Sequence, residues 1–272
     1  MISVCVLRGR FAENYYRGVK PQAGTRRIET RRPPQMRGGT KYRDLADKLL
    51  TRIEAGEWTP GDQLPAETEL ALAYEASVGT IQKSLQQLVD DGVLVRRHGS
   101  GTFVAIGNTR DEQVRHFRFL AEDEESILPI GIETIAVDML GEQGPWARFL
   151  GPEPSYVRVL RRIAINNEFE IVSEVLLSGR HFGSIAKLDP QELCHVRDLL
   201  SARFHRPTLK VEQTVSVQVL PPRACRLMSV PPGTTGLVWV ICGRTYRDAP
   251  LSWQRVFVPP SDHPLLFTAW RG

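Results

Sequence analysis

Between Lys41 and Val104 the hydrophobic pattern runs through three helical stretches and then alternates, an order that few folds accept. Tyr42, Leu45, Ala46, Leu49, Leu50 and Ile53 recur at helical spacing, and Gly56 is placed to stop the helix. "EWTPGDQLP" follows as a turn-rich connection around Pro60-Gly61. A short helix is predicted from Ala66 to Tyr74, burying Leu70, Leu72 or Ala73, and Tyr74. Ser77 is a good N-cap for a third helix through Asp91, which buries Ile81, Leu85, Leu88 and Val89 and ends at Gly92. "VLVRR" and "TFVA" then read as two strands joined by "HGSG". Three helices and a hairpin with so short a middle connection describe a winged helix-turn-helix.

The glycines of "RRHGSGTFV" admit two chemistries. A Gly-rich loop beside arginines can cradle a nucleotide phosphate, or it can form the tip of a hairpin laid against a DNA backbone. A phosphate-binding loop opens a helix, whereas this one lies between two strands, and it lacks the GK[ST] ending of a P-loop. The residues favour the wing.

The pieces "KYRDLADKLLTRIEAGEWTPGDQLPAETELA", "SVGTIQKSLQQLVDDGVLVRR" and "HGSGTFV" resemble, in order and spacing, the DNA-binding domain of the GntR family of bacterial transcription regulators. The resemblance implies a dimer on a near-palindromic double-stranded DNA operator. Its recognition helix would enter the major groove and its wing the minor groove. Ser77 and Thr80 would meet phosphate at the helix N-terminus. Val78, Gln82 and Lys83 face away from Ile81 and Leu85, where Gln82 suits adenine and Lys83 a phosphate or guanine. Arg96, Arg97 and His98 supply donors at the wing, and Gly99 and Gly101 let its backbone come close. Lys41 and Thr68, opening the first two helices, complete the expected DNA-binding set. The family's Ser-Glu-Arg after Leu-Pro is Ala66-Glu67-Thr68 here, and two common recognition-helix arginines are Val78 and Gln82. Fewer charged contacts imply a weaker backbone grip or a different operator.

Net charge is +4, but it is unevenly placed. Residues 1–40 carry nine Arg/Lys against Glu13 and Glu29, leaving 26 basic and 29 acidic residues beyond them. Any basic face in the rest of the chain must therefore be local. Residues 1–40 read as a basic, irregular extension. They could be an arm gripping phosphates, or an extension ahead of a start at Met36; both readings stay open.

Beyond a linker at 106–112, the region 113–272 changes character. "VRHFRFL", "GIETIAVDML", "SYVRVLRRIAI", "EFEIVSEVLL", "TLKVEQTVSVQVL", "TGLVWVICGRTY" and "LSWQRVFV" are β-prone. Helical patterns fall at Glu142–Leu150, Pro190–Phe204 and Pro221–Met228. The expected fold class is α+β, a winged head followed by an antiparallel sheet with helices on one side. "VLRRIAINNEFEIVSEVLL" and "VEQTVSVQVLPPRACRLMSVPPGTTGLVWVICGRTYRDAPLSWQRVF" resemble the UTRA effector domain, a chorismate-lyase-like module found in the histidine-utilisation-repressor branch of that family. The resemblance implies a small-molecule effector. It places Arg162 and Glu174 at the ligand, with Ser252 and Tyr246 near the last strands. A second arginine of the pattern is Ala164 here, so Trp239, Trp253 and Tyr246 could line a more apolar pocket, or pack as core.

Cys5, Cys194, Cys225 and Cys242 form no paired spacing, and "CH" at Cys194–His195 falls inside a helical pattern, where packing is the simpler role. No metal or cofactor is expected, and no apolar run reaches membrane-spanning length. The reading is a cytoplasmic, homodimeric, ligand-responsive repressor rather than an enzyme. Two alternatives stay open: a DNA-binding protein with a ligand-free second domain, and a lyase on a chorismate-like substrate.

Overall fold

The computed structural model describes residues 41–106 and 117–267. The basic extension, Met36 and most of the expected linker lie outside the described residues, as does Cys5.

The head contains α1 (Lys41–Glu54), α2 (Glu67–Ala73), α3 (Val78–Asp90), and the antiparallel strands β1 (Leu94–Arg97) and β2 (Gly101–Val104). Leu45, Leu49, Ile53, Leu70, Ile81 and Leu85 meet in one buried cluster, as their helical spacing requires. Ser77 caps α3 by accepting from Thr80 N at 3.2 Å. Ala66 cannot cap α2 with its side chain; Glu69 Oε2 instead accepts from Ala66 N at 2.9 Å. Leu72 or Ala73 is expected inside, but both are exposed, Leu72 at 83%, because Leu70 fills the inward position of the short helix.

The second domain is one six-stranded antiparallel sheet in the order β3-β4-β5-β8-β7-β6. Its strands are β3 (Ile130–Leu140), β4 (Tyr156–Ile165), β5 (Phe169–Ser178), β6 (Lys210–Val219), β7 (Thr235–Arg244) and β8 (Pro250–Val258). The β4–β5 turn uses Asn166 and Asn167, both at positive φ, the conformation a two-residue hairpin needs. Of the expected strand "VRHFRFL", the described residues Phe117–Leu120 do not join this sheet. Over its described part only isolated bridges form, Phe119 with Leu265 and Leu120 with Ile127. Phe117 and Phe119 are instead buried against Trp239, Ile163 and Ile171. Aromatic alternation there marks packing on the sheet rather than pairing within it.

Helices cover both faces, not one. On the first face lie α5 (Gly179–Phe182), a 3-10 stretch at Gly183–Lys187, a second at Pro190–Leu193, and α6 (Val196–Phe204). On the other lie α4 (Ala147–Leu150) and α7 (Pro222–Leu227). That two-sided cover explains why β5 is almost entirely buried instead of alternating. The single helix expected over Pro190–Phe204 breaks at Cys194–His195, where His195 leaves helical geometry. The helix expected from Glu142 forms only over Ala147–Leu150.

Head and sheet touch directly. Leu209 and Tyr246, both from the second domain, belong to the buried cluster of the head. Ser201 Oγ donates to Ile106 O at 3.1 Å. Arg206 pairs with Glu54 of α1 at 3.6 Å. Among the described residues no helix is long and apolar enough to cross a membrane.

Candidate nucleic-acid interface and ligand cavity

The exposed side of α3 presents Ser77, Val78, Gln82 and Lys83, with Gly79 open beside them. Ser84, Ile81, Leu85 and Leu88 turn inward. Lys41 and Thr68 are also exposed. These sequence-predicted residues are therefore accessible to solvent. Ser77 Oγ and Thr80 Oγ1 lie 2.9 Å apart at the N-terminus of α3, where helix dipole and free N–H groups favour an anion.

The wing turn places Arg97 opposite Gly101, with His98, Gly99 and Ser100 at the tip. Gly99 has φ +71, and a Cβ built there would meet nothing within 4 Å, so the tip is thin and open. Gly101 (φ +112) is constrained differently: a Cβ would come within 2.7 Å of Gln63 Nε2, which donates to Ser100 O and braces the wing. Arg97 stacks over Phe103 at 4.2 Å, while Arg96 lies 3.6 Å from Glu67. Glu67 also accepts from Gln82 Nε2 at 2.8 Å. One acidic residue at the start of α2 thus occupies a wing arginine and a recognition-helix glutamine. Its position at the first turn was visible in the sequence; its two partners were not.

In the second domain a cavity of about 760 Å3 lies on the first sheet face, beneath α6. Ile132, Val211 and Ile241 form an apolar floor, and Val196 and Leu200 an apolar roof. Arg161 of β4 is its buried cation. Nη1 donates to Cys194 O at 2.8 Å and Nη2 to Ser173 Oγ at 3.2 Å, while Gln254 Nε2 donates to Ser173 Oγ at 2.8 Å. Arg161 Nε is buried with no hydrogen-bond partner among the described residues. Burial lowers the pKa of Arg161 to about 10, partly offset by the Cys194 thiol nearby. A buried guanidinium with an unused donor, in a cavity, is suited to a carboxylate or phosphate. His205 Nδ1 and Thr208 Oγ1 are two further buried, partnerless atoms on residues lining the same space.

Of the four expected ligand residues, the structure brings only Ser252 to this cavity. Arg162 and Glu174 point to the opposite face. Arg162 pairs there with Glu133 at 2.6 Å and Glu170 at 3.6 Å, and Glu174 with Arg255 at 2.7 Å. The physical reason is strand periodicity: moving one residue along β4 or β5 reverses the side-chain direction. Arg161 and Ser173, each one position earlier, occupy the cavity face. Tyr246 is buried in the cluster of the head, where burial raises its pKa. Trp239 packs in the core against Phe117 and donates its indole N–H to Gln213, and Trp253 is core on the other face. Cys194, expected to pack within a helix, instead lines the cavity at the helix break. A signal for Arg161 does exist in the sequence. It is the lone polar residue in the frame Val157, Val159, Ile163, Ile165, whereas Arg162 shares its frame with Arg158.

The cavity wall also includes Thr59, Pro60 and Ile106 of the head. A molecule bound there would touch both domains.

Comparison with known families decides the identity of the head: the model for bacterial regulatory proteins of the gntR family matches residues 41–104. Over residues 41–104 the chain is similar to bacterial regulatory proteins of the gntR family. The chain is 41% identical over 64 residues to the histidine utilization repressor of Klebsiella aerogenes, a match covering 24% of this chain and 27% of that protein. An 86-residue match, 36% identical, relates it to the mannosyl-D-glycerate transport/metabolism system repressor MngR of Escherichia coli K12, covering 31% of this chain and 34% of that one. The matches thus span about a quarter to a third of these curated relatives. A solved structure, the possible transcriptional regulator YydK of Bacillus subtilis, aligns with 83% of this chain and 99% of its own at 18% identity and a TM-score of 0.46. The architecture of the second domain stands on its own strand order.

Proposed function

We propose that the chain is a ligand-responsive, sequence-specific transcription regulator, a repressor that binds near-palindromic DNA as a dimer in the cytoplasm. The gntR domain supplies the DNA surface, through Ser77, Val78, Thr80, Gln82, Lys83 and the wing from Arg96 to Gly101. The second domain, read as a UTRA-type effector module, supplies a site for a small anionic molecule. The observation that carries the regulatory part is the wall the two domains share. The cavity that holds the unused donor of Arg161 is closed in part by Thr59, Pro60 and Ile106 of the head. Occupying it changes the head's surroundings directly, so ligand affinity and DNA affinity are coupled, and reciprocally so. Arg161, Ser173, Gln254 and Ser252 bind and orient the ligand in this reading; no bond is made or broken.

The test is selection of bound duplexes from a fragmented genomic pool by the full chain. It is paired with a thermal-shift screen of carboxylate and phosphate metabolites, since a true effector stabilises by mass action. The expected result is enrichment of one near-palindromic site, released by a metabolite that also raises the melting temperature. Retention of all fragments alike would overturn the reading.

A further inference from the structure

We propose that the cavity takes an elongated monocarboxylic acid, with its carboxylate at Arg161, a terminal hydroxyl at Thr208 and His205, and an apolar chain between. The inference deepens the proposed effector site by naming the class of its ligand, and it rests on that reading.

Buried polar atoms without partners mark both ends of the cavity. At one end stands Arg161, 6% exposed, whose Nε has no partner among the described residues. At the other stands Thr208, 5% exposed, whose Oγ1 has none either, and His205 Nδ1 beside it is in the same position. A polar atom buried without a partner opposes folding, so a ligand that supplies the missing partner gains most at these points. A hydroxyl both donates and accepts, which suits a threonine oxygen and an imidazole nitrogen alike.

The two ends are far apart on the sheet. Arg161 pairs with Ser173 and Ser173 with Val256, whereas Gly243 pairs with Ser252, four residues back along β8. Gly243 adjoins Thr208: a Cβ built there would lie 3.2 Å from Thr208 Cγ2 and 2.7 Å from Ser252 Oγ, so the glycine keeps space beside both hydroxyls. Arg161 and Gly243 are thus three strand spacings and four residues apart, about 14 Å across and 13 Å along. The guanidinium covers part of that span by reaching Ser173 Oγ. Ile241, Val211 and Leu200 line the stretch between. A short acid therefore satisfies one end only, and a linear chain with a polar group at each terminus satisfies both.

Charge selects the head group. Apart from its histidines, the wall carries Arg161, Arg197 and one acid, Asp198. Arg197 and Asp198 are neighbours of opposite sign, and the acid offsets part of the effect of burial on the Arg197 guanidinium. One net positive charge is left for the ligand. A single carboxylate balances it, and a phosphate dianion overshoots.

The far end is also where the head closes the cavity. His205 packs on Gly56, where an added Cβ would lie 3.3 Å from its ring, and Ser201 Oγ donates to Ile106 O. An acid long enough to reach Thr208 meets the head, and a short one held at Arg161 does not.

The test is isothermal titration of the full chain with propionate, decanoate, ω-hydroxydecanoate and inorganic phosphate. Hydrophobic transfer alone makes decanoate the tighter of the two long acids. The expected result is the reverse: ω-hydroxydecanoate binds about 10-fold more tightly than decanoate, because its hydroxyl meets Thr208, and more tightly still than propionate. Thr208→Val should erase that preference, leave decanoate binding in place and keep the melting temperature, since it removes a hydroxyl that is buried without a partner. Decanoate binding as tightly as its hydroxy analogue overturns the proposal, and so does a preference that survives Thr208→Val. If phosphate binds and none of the acids does, the proposal fails while the reading of the cavity as an anion site stands. If neither the acids, nor phosphate, nor any metabolite of the thermal-shift screen binds, the effector reading itself falls.

Discussion

Arg247, at the tip of the β7–β8 hairpin, reaches α1 of the head and donates from Nε to Glu54 Oε2 at 3.0 Å. The same guanidinium pairs with Asp47 and donates to Thr51 Oγ1 at 3.0 Å, and these two acids hold its pKa above the ordinary value. Both Arg247 and Asp248 adopt positive φ, a conformation non-glycine residues accept only when their surroundings require it. The hairpin therefore joins cavity to head: Ile241, Gly243, Ser252 and Gln254 line the cavity, and the tip a few residues away grips the helix.

Breaking that grip should loosen the head more than it lowers global stability. The pair is partly exposed, so the Arg247–Glu54 coupling in a double-mutant cycle should be modest, about 0.5–1 kcal/mol. Arg247→Ala should leave the melting of the sheet domain unchanged while increasing hydrogen exchange in α1. Unchanged exchange would show that Tyr246, Leu209 and the Ser201 and Arg206 contacts hold the head without Arg247.

Arg161 and Arg162 should behave oppositely despite being neighbours. Arg161→Met removes the buried guanidinium and should abolish stabilisation by any anionic metabolite found in the thermal-shift screen. The melting temperature without ligand should stay constant or rise, because one partnerless donor is no longer buried. Arg162→Met loses exposed pairs with Glu133 and Glu170, should cost under about 1 kcal/mol, and should leave the ligand-induced shift intact. The reverse assignment would place the ligand on the other sheet face.

Under the proposed function, Glu67 competes with DNA for Gln82 and Arg96, both of which it contacts. Glu67→Ala should strengthen DNA binding several-fold by freeing both residues and removing a negative charge near the phosphates. Arg96→Ala should reduce the slope of log affinity against log salt by about one. Fluorescence anisotropy over a salt series reads both effects. A salt slope unchanged in Arg96→Ala would take this residue off the phosphate backbone.

His263 and Glu168 give stability a pH dependence of known sign. His263 Nε2 lies 2.6 Å from Glu168 Oε2, which raises the histidine pKa above 6.5 and lowers the glutamate pKa below 4.5. The histidine contribution is complete below pH 6.5 and lost as pH rises through the raised value. The glutamate contribution is complete above pH 4.5 and lost as pH falls through the lowered value. The stability difference between wild type and His263→Gln should therefore peak between pH 4.5 and 6.5 in denaturant titrations. A difference flat across pH would contradict the pair.

The head was legible almost residue by residue, because Leu45, Leu49, Ile53, Ile81 and Leu85 recur with a helical period and Ser77 and Gly92 punctuate the third helix. The register of the second domain was less so. Strand β4 is apolar in both frames, Val157, Val159 and Ile163 in one and Tyr156 and Leu160 in the other. The one sign of which arginine faces the cavity is that Arg162 shares its frame with Arg158, whereas Arg161 stands alone among apolar residues. Tyr246 was visible as an aromatic near the last hairpin, but its burial in the head depends on contacts between residues about two hundred positions apart, which no local pattern encodes. The cover of helices on both faces was hidden for a similar reason: the patterns at Glu142–Leu150, Pro190–Phe204 and Pro221–Met228 show helices but not which sheet face each packs on.

The central claim is that the wing and α3 bind a specific DNA site, and Gly99 tests it most directly. Equilibrium binding of wild type and Gly99→Glu to the selected duplex should be measured at moderate salt, with melting curves on the same samples. A Cβ meets nothing there, but the φ of +71 strains any side chain by about 1 kcal/mol, so the variant should fold with slightly lower stability, while its carboxylate at the wing tip should repel the phosphates and abolish specific binding. A folded Gly99→Glu protein that binds the site as tightly as wild type would contradict the account.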